Sequence, residues 1–160
     1  MDEFLVLNSN NKKLWYQYFD RLPDSQKDFF LRPEYYTLFE NKFTKAECFI
    51  FFNKKNIILY PYLKTNLTKK IYNNEKNNYY DIEGAYGYNG IFNIELDKSF
   101  VNKFQKIFTQ FCISKNIISE FTRFNPILKN HIGLDNMDIK KINYNVILNL
   151  NQNWDVIYNN

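Results

Sequence analysis

The residues best suited to chemistry form one short segment, Tyr86-Gly87-Tyr88-Asn89-Gly90, called here the glycine segment, which follows a predicted strand. Glycine adopts positive φ angles without steric cost, so the backbone of such a segment can approach a ligand closely. Tyrosine combines an apolar ring with a hydroxyl group, which suits a sugar or a peptide. No lysine follows the last glycine, so the pattern is not that of a phosphate-binding loop. The alternative interpretation is a tight turn between two elements.

A second segment of interest, called here the strand-end segment, covers residues 120–126 with the sequence EFTRFNP. Strand alternation places Glu120 and Thr122 on one face and Arg123 on the other, and Pro126 ends the strand. Charged residues on an otherwise apolar strand are costly unless they are paired or lie at a cleft. Because the carboxyl ends of strands bind ligands in open α/β sheets, this segment is a candidate site. The alternative is an internal Glu120–Arg123 pair that only fixes the sheet.

Composition excludes several kinds of metal site. The two cysteines, Cys48 and Cys112, lie far apart without a CxxC spacing, and His131 is the single histidine. A site built from several histidines or cysteines has too few ligands, so we expect no bound metal. We expect both thiols to be small, reduced residues of the core.

The charge pattern argues against two further classes of protein. The formal net charge is +4, and the lysines are scattered in pairs, whereas nucleic-acid binders usually gather them into one stripe. No apolar stretch approaches the roughly 18 residues of a membrane helix, and the acidic N-terminus does not resemble a signal peptide. We therefore expect a cytoplasmic protein without a membrane span.

Hydrophobic periodicity predicts the elements that must position these two segments. It predicts helices over residues 11–22, from 33, over 97–115 and from 152, and strands over residues 46–52, 57–63, 79–83, 117–124 and 142–150. We expect Asn10 or Asn11 to cap the first helix and Asp97 to cap the long one. Pro61 lacks a backbone donor and indicates an edge strand or a strand end. The strand, long helix and strand that follow indicate a parallel crossover unit.

The order of these motifs resembles the first half of FemAB-like acyltransferases, the peptidoglycan-bridge aminoacyltransferases and their relatives in capsule and surface-sugar synthesis. A strand leads into YGYNG, and a helix follows with a strand that ends in EFTRFNP. His131 and an alternating strand ending in LNLNQNW come next. The upstream stretches DFFLRPEYYTLFE and NIILYPYLK are similar to the opening helix and hairpin of that family. The resemblance covers nearly the whole chain, from about Trp15 to Tyr158.

The resemblance implies a fold and a domain organisation. Members of this family carry two GNAT-like domains in tandem, each with a mixed α/β sheet, an antiparallel hairpin, a βαβ crossover and helices on both faces. Residues 1–150 would form the N-terminal, acceptor-side domain. Residues 151–160 would begin a helix that leads to a second domain, which this sequence lacks. The apolar stripe begun by Trp154 agrees with that expectation, and the alternative is a short helix that docks on the first domain.

The resemblance also implies a reaction and a site. Family members transfer an acyl or aminoacyl group from a thioester or a charged tRNA to an amine. The implied substrate-binding residues are Tyr86, Gly87, Tyr88, Asn89, Gly90, Arg123 and Asn125. Glu120 is a candidate general base.

The donor, acyl-CoA or aminoacyl-tRNA, should not be bound by this chain alone, because its glycine cluster contains no Arg or Gln of the kind found in a cofactor loop. We therefore expect half of an N-acyltransferase that modifies a cell-wall or surface-polysaccharide precursor and is inactive alone. The alternatives are a stand-alone module that binds sugar or peptide, and an inactive remnant.

Overall fold

The computed structural model describes residues 2–71, 77–93, 97–144, 146 and 151–158. Its elements, in chain order, are β1 (Glu3–Asn8), α1 (Lys12–Phe19), α2 (Pro33–Thr37), β2 (Thr44–Phe52), β3 (Ile57–Asn66), α3 (Leu67–Ile71), β4 (Tyr80–Glu83), β5 (Phe92–Asn93), α4 (Lys98–Ser114), β6 (Ile117–Phe121) and α5 (Trp154–Tyr158). Short 3₁₀ turns precede α1 and α2. The predicted mixed α/β architecture is confirmed.

The elements build one six-stranded sheet with the order β1-β2-β3-β4-β6, while β5 pairs with β3. The first four strands are antiparallel, and β4 and β6 are parallel, joined by the crossover helix α4. The predicted hairpin between β2 and β3 closes at residues 53–56, where Oδ1 of Asn53 accepts from the backbone amides of Lys55 and Asn56. Both the hairpin and the parallel crossover unit are confirmed.

Two hydrophobic clusters cover the two faces of the sheet. Successive side chains of β2 point alternately into one cluster and into the other. Cys48 and Ile50 pack beneath α1 and α2 around the fully buried Trp15. Phe49 and Phe51 face the other way, where the phenylalanines of α4 pack. Burial of aromatic side chains on both faces supplies the main favourable term for folding. The predicted placement of helices on both faces is confirmed.

The long helix α4 begins as the sequence predicts. The side chain of Asp97 accepts from the backbone amides of Ser99 (2.9 Å) and Phe100 (3.3 Å), which satisfies two donors that the first helical turn leaves free. Its end is marked by Asn116, which lies at φ 54° in the left-handed region that asparagine tolerates.

The cap predicted for the first helix is wrong. Asn8, rather than Asn10 or Asn11, has the extended backbone of a capping residue, and its side chain accepts from the amide of Asn10 at 2.9 Å. The side chain of Asn11 instead accepts from the amide of Asn8, and it makes no cap bond to α1. Because of the 3₁₀ turn over Ser9–Asn11, the helical region begins at Ser9, three residues before α1. Hydrophobic periodicity alone does not reveal this earlier start.

The position predicted for Pro61 is also wrong, since β3 is a central strand and Pro61 lies in its middle, opposite Cys48. On its other side, β3 pairs with β4 only over Leu63–Asn66 and with β5 only at Ile58 and Leu59. The proline therefore occupies a stretch that has no strand partner on that side. A residue without a backbone donor costs no ladder hydrogen bond at such a gap.

The last two predicted elements are only partly covered by the described residues. A helix does form near the predicted position as α5, with Trp154 and Tyr158 exposed and their rings 6.2 Å apart. In the strand predicted over residues 142–150, the described residues Ile142, Tyr144 and Val146 are exposed and have no strand pairing. Residues 145 and 147–150 lie outside the described residues.

Candidate functional site

The fold brings the glycine segment and the strand-end segment together at the carboxyl ends of β4 and β6. The amide of Gly84 donates to the carbonyl of Phe121 at 3.2 Å, and the amide of Asn89 donates to the carbonyl of Arg123 at 2.7 Å. Asn89 also forms an isolated parallel bridge with Phe124. The parallel pairing of β4 and β6 is thereby continued beyond the strands themselves. Two segments that are 30 or more residues apart in sequence become neighbours.

A cleft of about 290 Å³ opens beside this junction, on the face of the sheet that also carries α2. It is lined by Phe39, Leu63, Glu83, Gly84, Ala85, Tyr86, Gly87, Phe121 and Arg123. The ring of Tyr86 is 77 % exposed, and Arg123 is also exposed. An exposed aromatic ring and a guanidinium beside a small apolar floor can hold a ligand that carries both a hydrophobic face and an anionic group.

Of the glycine segment, Tyr86 and Gly87 line this cleft, whereas Tyr88 is half-buried against Phe30, with ring centroids 6.4 Å apart. The hydroxyl of Tyr35 donates to the carbonyl of Tyr86, which anchors the backbone and leaves the ring of Tyr86 free. The two tyrosines therefore have different environments, one facing solvent and one packed.

Asn89 lies inside the protein and braces the junction. Its Oδ1 accepts from the hydroxyl of Tyr36 at 2.9 Å, and its carbonyl accepts from Nδ2 of Asn130 at 2.9 Å. The Tyr36 hydroxyl lies 3.2 Å from the carbonyl of Pro61, so the gap in β3 is filled from this side. Asn89 is 1 % exposed, and its side-chain nitrogen Nδ2 has no hydrogen-bond partner among the described residues. This residue ties β3, α2 and the glycine segment together.

Asn125 is buried as well. Its Oδ1 accepts from the amides of Ile127 (2.9 Å) and Leu128 (3.2 Å), which closes the turn after Pro126, and its own amide donates to Oδ1 of Asn130. Asn130 therefore bonds both segments, and sequence analysis missed it. A buried asparagine in a polar loop has no periodicity to identify it.

The glycines of the segment are required by packing. A Cβ atom added at Gly87 would lie 2.5 Å from the ring of Phe30, and one at Gly90 would lie 2.7 Å from Nδ2 of Asn130. Both glycines have positive φ angles, 98° and 112°, as the sequence predicts. The space that a Cβ atom would need at Gly87 and Gly90 is thus already occupied by protein atoms.

Neither the glycine segment nor the start of α4 fits the pyrophosphate of a CoA donor. The glycine segment has its close approaches filled by Phe30 and Asn130, and the amide of Asn89 is bonded internally. At the start of α4 the carboxylate of Asp97 already occupies the free amides, and its charge opposes an anion. No step of a reaction is therefore assigned to a donor held at these positions.

Glu120 lies on the opposite face of the sheet from the cleft. Its carboxylate accepts from the hydroxyl of the buried Tyr60, which also lies 2.6 Å from Oγ1 of Thr122. Glu120 is exposed as a residue, but its carboxyl group points inward to Tyr60, and the partial burial of that group raises its pKa above the ordinary value. The shared face of Glu120 and Thr122 is confirmed. The interpretation as an internal Glu120–Arg123 pair is wrong, because the two side chains line cavities on opposite faces.

The cavity beside Glu120, called here the helix-side cavity, has a volume of about 70 Å³. Gly90 and Phe124 contribute to it from the two segments, and Ile91 from the position after the glycine segment. Phe104, Gln105, Phe108 and Thr109 contribute from α4. Gln105 was missed by the sequence analysis. The signal was present, because Val101, Phe104, Gln105 and Phe108 follow helical spacing and a glutamine therefore stands at a core position.

The cysteines offer no nucleophile. Cys48 is fully buried, and burial raises the pKa of the Cys112 thiol to about 12. Both are free, in agreement with the prediction of reduced core residues. Over the described ranges, no group of three or more His, Cys, Asp or Glu side chains could hold a metal ion. In the same part of the chain, no helix is long and apolar enough to cross a membrane.

Comparison with known proteins gives a structural likeness but no match to a family or to a curated protein. Among solved structures, the chain is similar to the ribosomal-protein-alanine N-acetyltransferase from Brucella melitensis biovar Abortus 2308, with 9 % sequence identity and a TM-score of 0.42. The alignment covers 92 % of this chain and 97 % of that one. A likeness at this level assigns neither an activity nor a substrate.

Proposed function

We propose that this chain is the acceptor-binding, GNAT-like half of an N-acyltransferase that acts in the cytoplasm on an amine of a cell-wall or surface-polysaccharide precursor. The observation that carries the proposal is the meeting of the two segments at the carboxyl ends of β4 and β6, beside a cleft of about 290 Å³. These are the segments whose order resembles FemAB-like acyltransferases. Carboxyl ends of parallel strands are the usual ligand-binding positions of α/β sheets.

The chemistry of the cleft suits a peptide or glycan precursor. Arg123 presents a guanidinium that can form paired hydrogen bonds with a carboxylate or phosphate group of the acceptor. Tyr86 offers an exposed ring for a sugar or peptide face. Rigid packing of Gly87 and Asn89 holds the backbone that carries both side chains. The contribution of this half would be to position the acceptor.

In the proposed reaction, the amine nitrogen of the acceptor attacks the acyl carbonyl of a thioester or an aminoacyl-tRNA. The new amide bond forms, the bond to sulfur or to the ribose oxygen breaks, and the amine loses a proton. A second GNAT-like domain would supply the donor, since the glycine segment and the start of α4 do not fit a pyrophosphate. Glu120 stays a prediction as the base, because its carboxylate lines the other face.

A stand-alone module that binds sugar or peptide is the second candidate function. The exposure of the Tyr86 ring favours it, since a free aromatic ring at a cleft binds a sugar whether or not catalysis follows. The two candidates agree on the cleft and differ in what happens to the bound molecule.

The test is isothermal titration calorimetry of the whole chain with a soluble muramyl pentapeptide that carries a free lysine amine. We expect Arg123→Ala to weaken binding at least about tenfold, or roughly 1.4 kcal/mol, and Tyr86→Ala to weaken it less. Lys45→Ala removes an exposed positive charge on β2 and serves as the control. Arg123→Ala and Tyr86→Ala should both keep the thermal unfolding midpoint of the parent, because the side chains of Arg123 and Tyr86 are exposed.

Four results would contradict the proposal or a part of it. If the pentapeptide does not bind, or if Arg123→Ala binds it as well as Lys45→Ala does, the cleft is not an acceptor site. If the pentapeptide binds but is released unchanged when acyl-CoA, aminoacyl-tRNA and candidate partner domains are all supplied, the binding-module function takes precedence. Formation of an acylated product by this chain alone would refute the expectation that it is inactive alone.

A further inference from the structure

The helix-side cavity has the composition of a separate ligand site. Its volume of about 70 Å³ is roughly half of the ~150 Å³ that accommodates benzene in an engineered protein cavity, so it can take a head group of only a few heavy atoms. Thr109 and Asn136 are exposed at its rim, which leaves a route from solvent. Its inner wall is formed by Tyr60, Phe104 and Phe108, all of them buried.

The carboxylate of Glu120 gives this cavity a place for a cation. Its partners are the hydroxyls of Tyr60 and Thr122, and within the described part of the chain no basic side chain forms an ion pair with it. Aromatic rings around a carboxylate add further attraction for a compact ammonium group. Burial raises the pKa of the Glu120 carboxyl, as expected for a group that has no positive charge beside it.

Gln105 supplies a second, independent sign of a ligand. It is 6 % exposed and lines the cavity from α4, yet its Nε2 has no hydrogen-bond partner in the part of the chain that the structure describes. A buried amide nitrogen without an acceptor costs about 1–3 kcal/mol, so a leucine would be favoured at this core position if packing alone mattered. The missing partner is an acceptor oxygen.

We propose that the helix-side cavity binds the head of a 1,2-amino alcohol, with its ammonium group at the carboxylate of Glu120 and its hydroxyl oxygen accepting from Nε2 of Gln105. Such a head contains four heavy atoms, which agrees with the small volume of the cavity. The site goes beyond the proposed acyl transfer. It lies on the opposite face of the sheet from the cleft of Tyr86 and Arg123, and it needs neither a donor nor a second domain.

Ethanolamine is the probe, and ethylamine, which lacks the hydroxyl group, is its matched comparison. Both are cations at pH 7, since alkyl amines titrate near pH 10. Titration of the ¹⁵N-labelled chain by NMR should give millimolar binding of ethanolamine, at least about fivefold tighter than ethylamine. The largest shifts should fall on the side-chain amide of Gln105 and on the backbone of Thr109.

Two variants separate the two contacts. Glu120→Gln should weaken both probes at least tenfold, while Glu3→Gln, an exposed carboxylate on β1, should change neither. Gln105→Leu should abolish the difference between the probes and leave ethylamine unaffected. Should Glu120→Gln not fold, the comparison of the two probes on the parent chain and on Gln105→Leu still decides the question.

The proposal is overturned if ethanolamine and ethylamine bind the parent chain equally, or if Glu120→Gln retains the affinity. It is also overturned if the shifts map to Tyr86 and Arg123 instead of to α4. Because binding is measured without any acyl donor, these failures leave the acyl-transfer proposal standing, and failure of the pentapeptide titration leaves this one standing.

Discussion

The cleft and the helix-side cavity form at the same end of the same pair of strands, but their chemistry is opposite. The cleft has an exposed guanidinium and an exposed tyrosine, whereas the cavity has an inward carboxylate, an unpartnered amide and three buried aromatic rings. Arg123 and Glu120 are only three residues apart. The difference shows how a strand and the extended residues after it divide two charges between two environments, because successive side chains of extended backbone point to opposite faces. The glycine segment contributes to both, with Tyr86 and Gly87 at the cleft and Gly90 at the cavity.

The strongest way to break this arrangement is to displace the glycine segment with the substitution Gly90→Ala. We expect the free energy of unfolding to fall by about 3 kcal/mol, because alanine is strained at a φ of 112° and its Cβ would meet Asn130 and Phe124 at 2.7 and 2.9 Å. Asn130 is held by two carbonyl groups and cannot move away cheaply. Urea unfolding at pH 7 measures the loss.

The control is Gly133→Ala, which has a similar backbone angle of 86° but only an ordinary contact with Val101 at 3.8 Å. Its loss should be about 1–2 kcal/mol, from backbone strain alone. Equal losses of unfolding free energy in the two variants would mean that the glycine segment can relax. The packing around Gly90 would then not set the separation of the cleft from the helix-side cavity.

The next effect compares the buried tyrosine hydroxyls on the two faces. Tyr60→Phe removes a donor to the carboxylate of Glu120 and should cost about 2 kcal/mol at pH 7, whereas Tyr36→Phe removes bonds to the neutral acceptors of Pro61 and Asn89 and should cost about 1 kcal/mol. Thermal unfolding of both variants across pH 4 to 8 is the measurement. The loss in Tyr60→Phe should shrink at low pH, where the carboxyl group is neutral, and the loss in Tyr36→Phe should not. A loss that is independent of pH in both would show that Glu120 is not charged against Tyr60.

The smallest effect is the pH dependence contributed by Glu120 itself. Its pKa in the folded protein is raised above the ordinary value of 4.5, so the folded state binds this proton more tightly than the unfolded state does. The stability from this group is fully present below about pH 4.5 and is lost as the pH rises through the raised pKa. Glu120→Gln should remove that loss, which solvent screening keeps below about 1 kcal/mol.

The measurement is the difference between the parent and the variant in urea unfolding from pH 4 to 8. Subtraction cancels the contribution of Asp81, whose pKa is also raised by burial. A parent that becomes more stable relative to Glu120→Gln as the pH rises would have the wrong sign, and would indicate a positive charge beside Glu120.

Much of the fold could be predicted from local patterns. The stripe of α4, its cap at Asp97 and the hairpin at Asn53 depend on residues within a few positions of each other, so their signals lie in the sequence itself. The alternation predicted over residues 117–124 likewise placed Glu120 and Arg123 on different faces, although β6 itself ends at Phe121. Pro61 was mispredicted because its tolerance depends on which neighbours β3 lacks, and that depends on distant strands.

The candidate site was predictable only in part. The glycine segment and the strand-end segment could be identified from their residue types. Which of their side chains line the cleft and which are structural could not be predicted. Asn89 and Asn125 look as polar as Arg123 in sequence, yet both are buried braces whose partners, Tyr36 and Asn130, belong to other elements. Tyr60 and Gln105 were missed because each looks like a core residue on its own element.

The sequence by itself determined which residues form strands and helices, which faces are apolar and where the backbone needs glycine, because these properties follow from interactions between near neighbours along the chain. The tertiary structure alone decided that Glu120 accepts from Tyr60 and lines one cavity with Gln105, while Arg123 and Tyr86 line the cleft on the other side. These groupings join residues 15 to 60 positions apart, and they exist only once the crossover through α4 has placed β6 beside β4. Burial and the direction of each side chain then set its charge and its possible ligand.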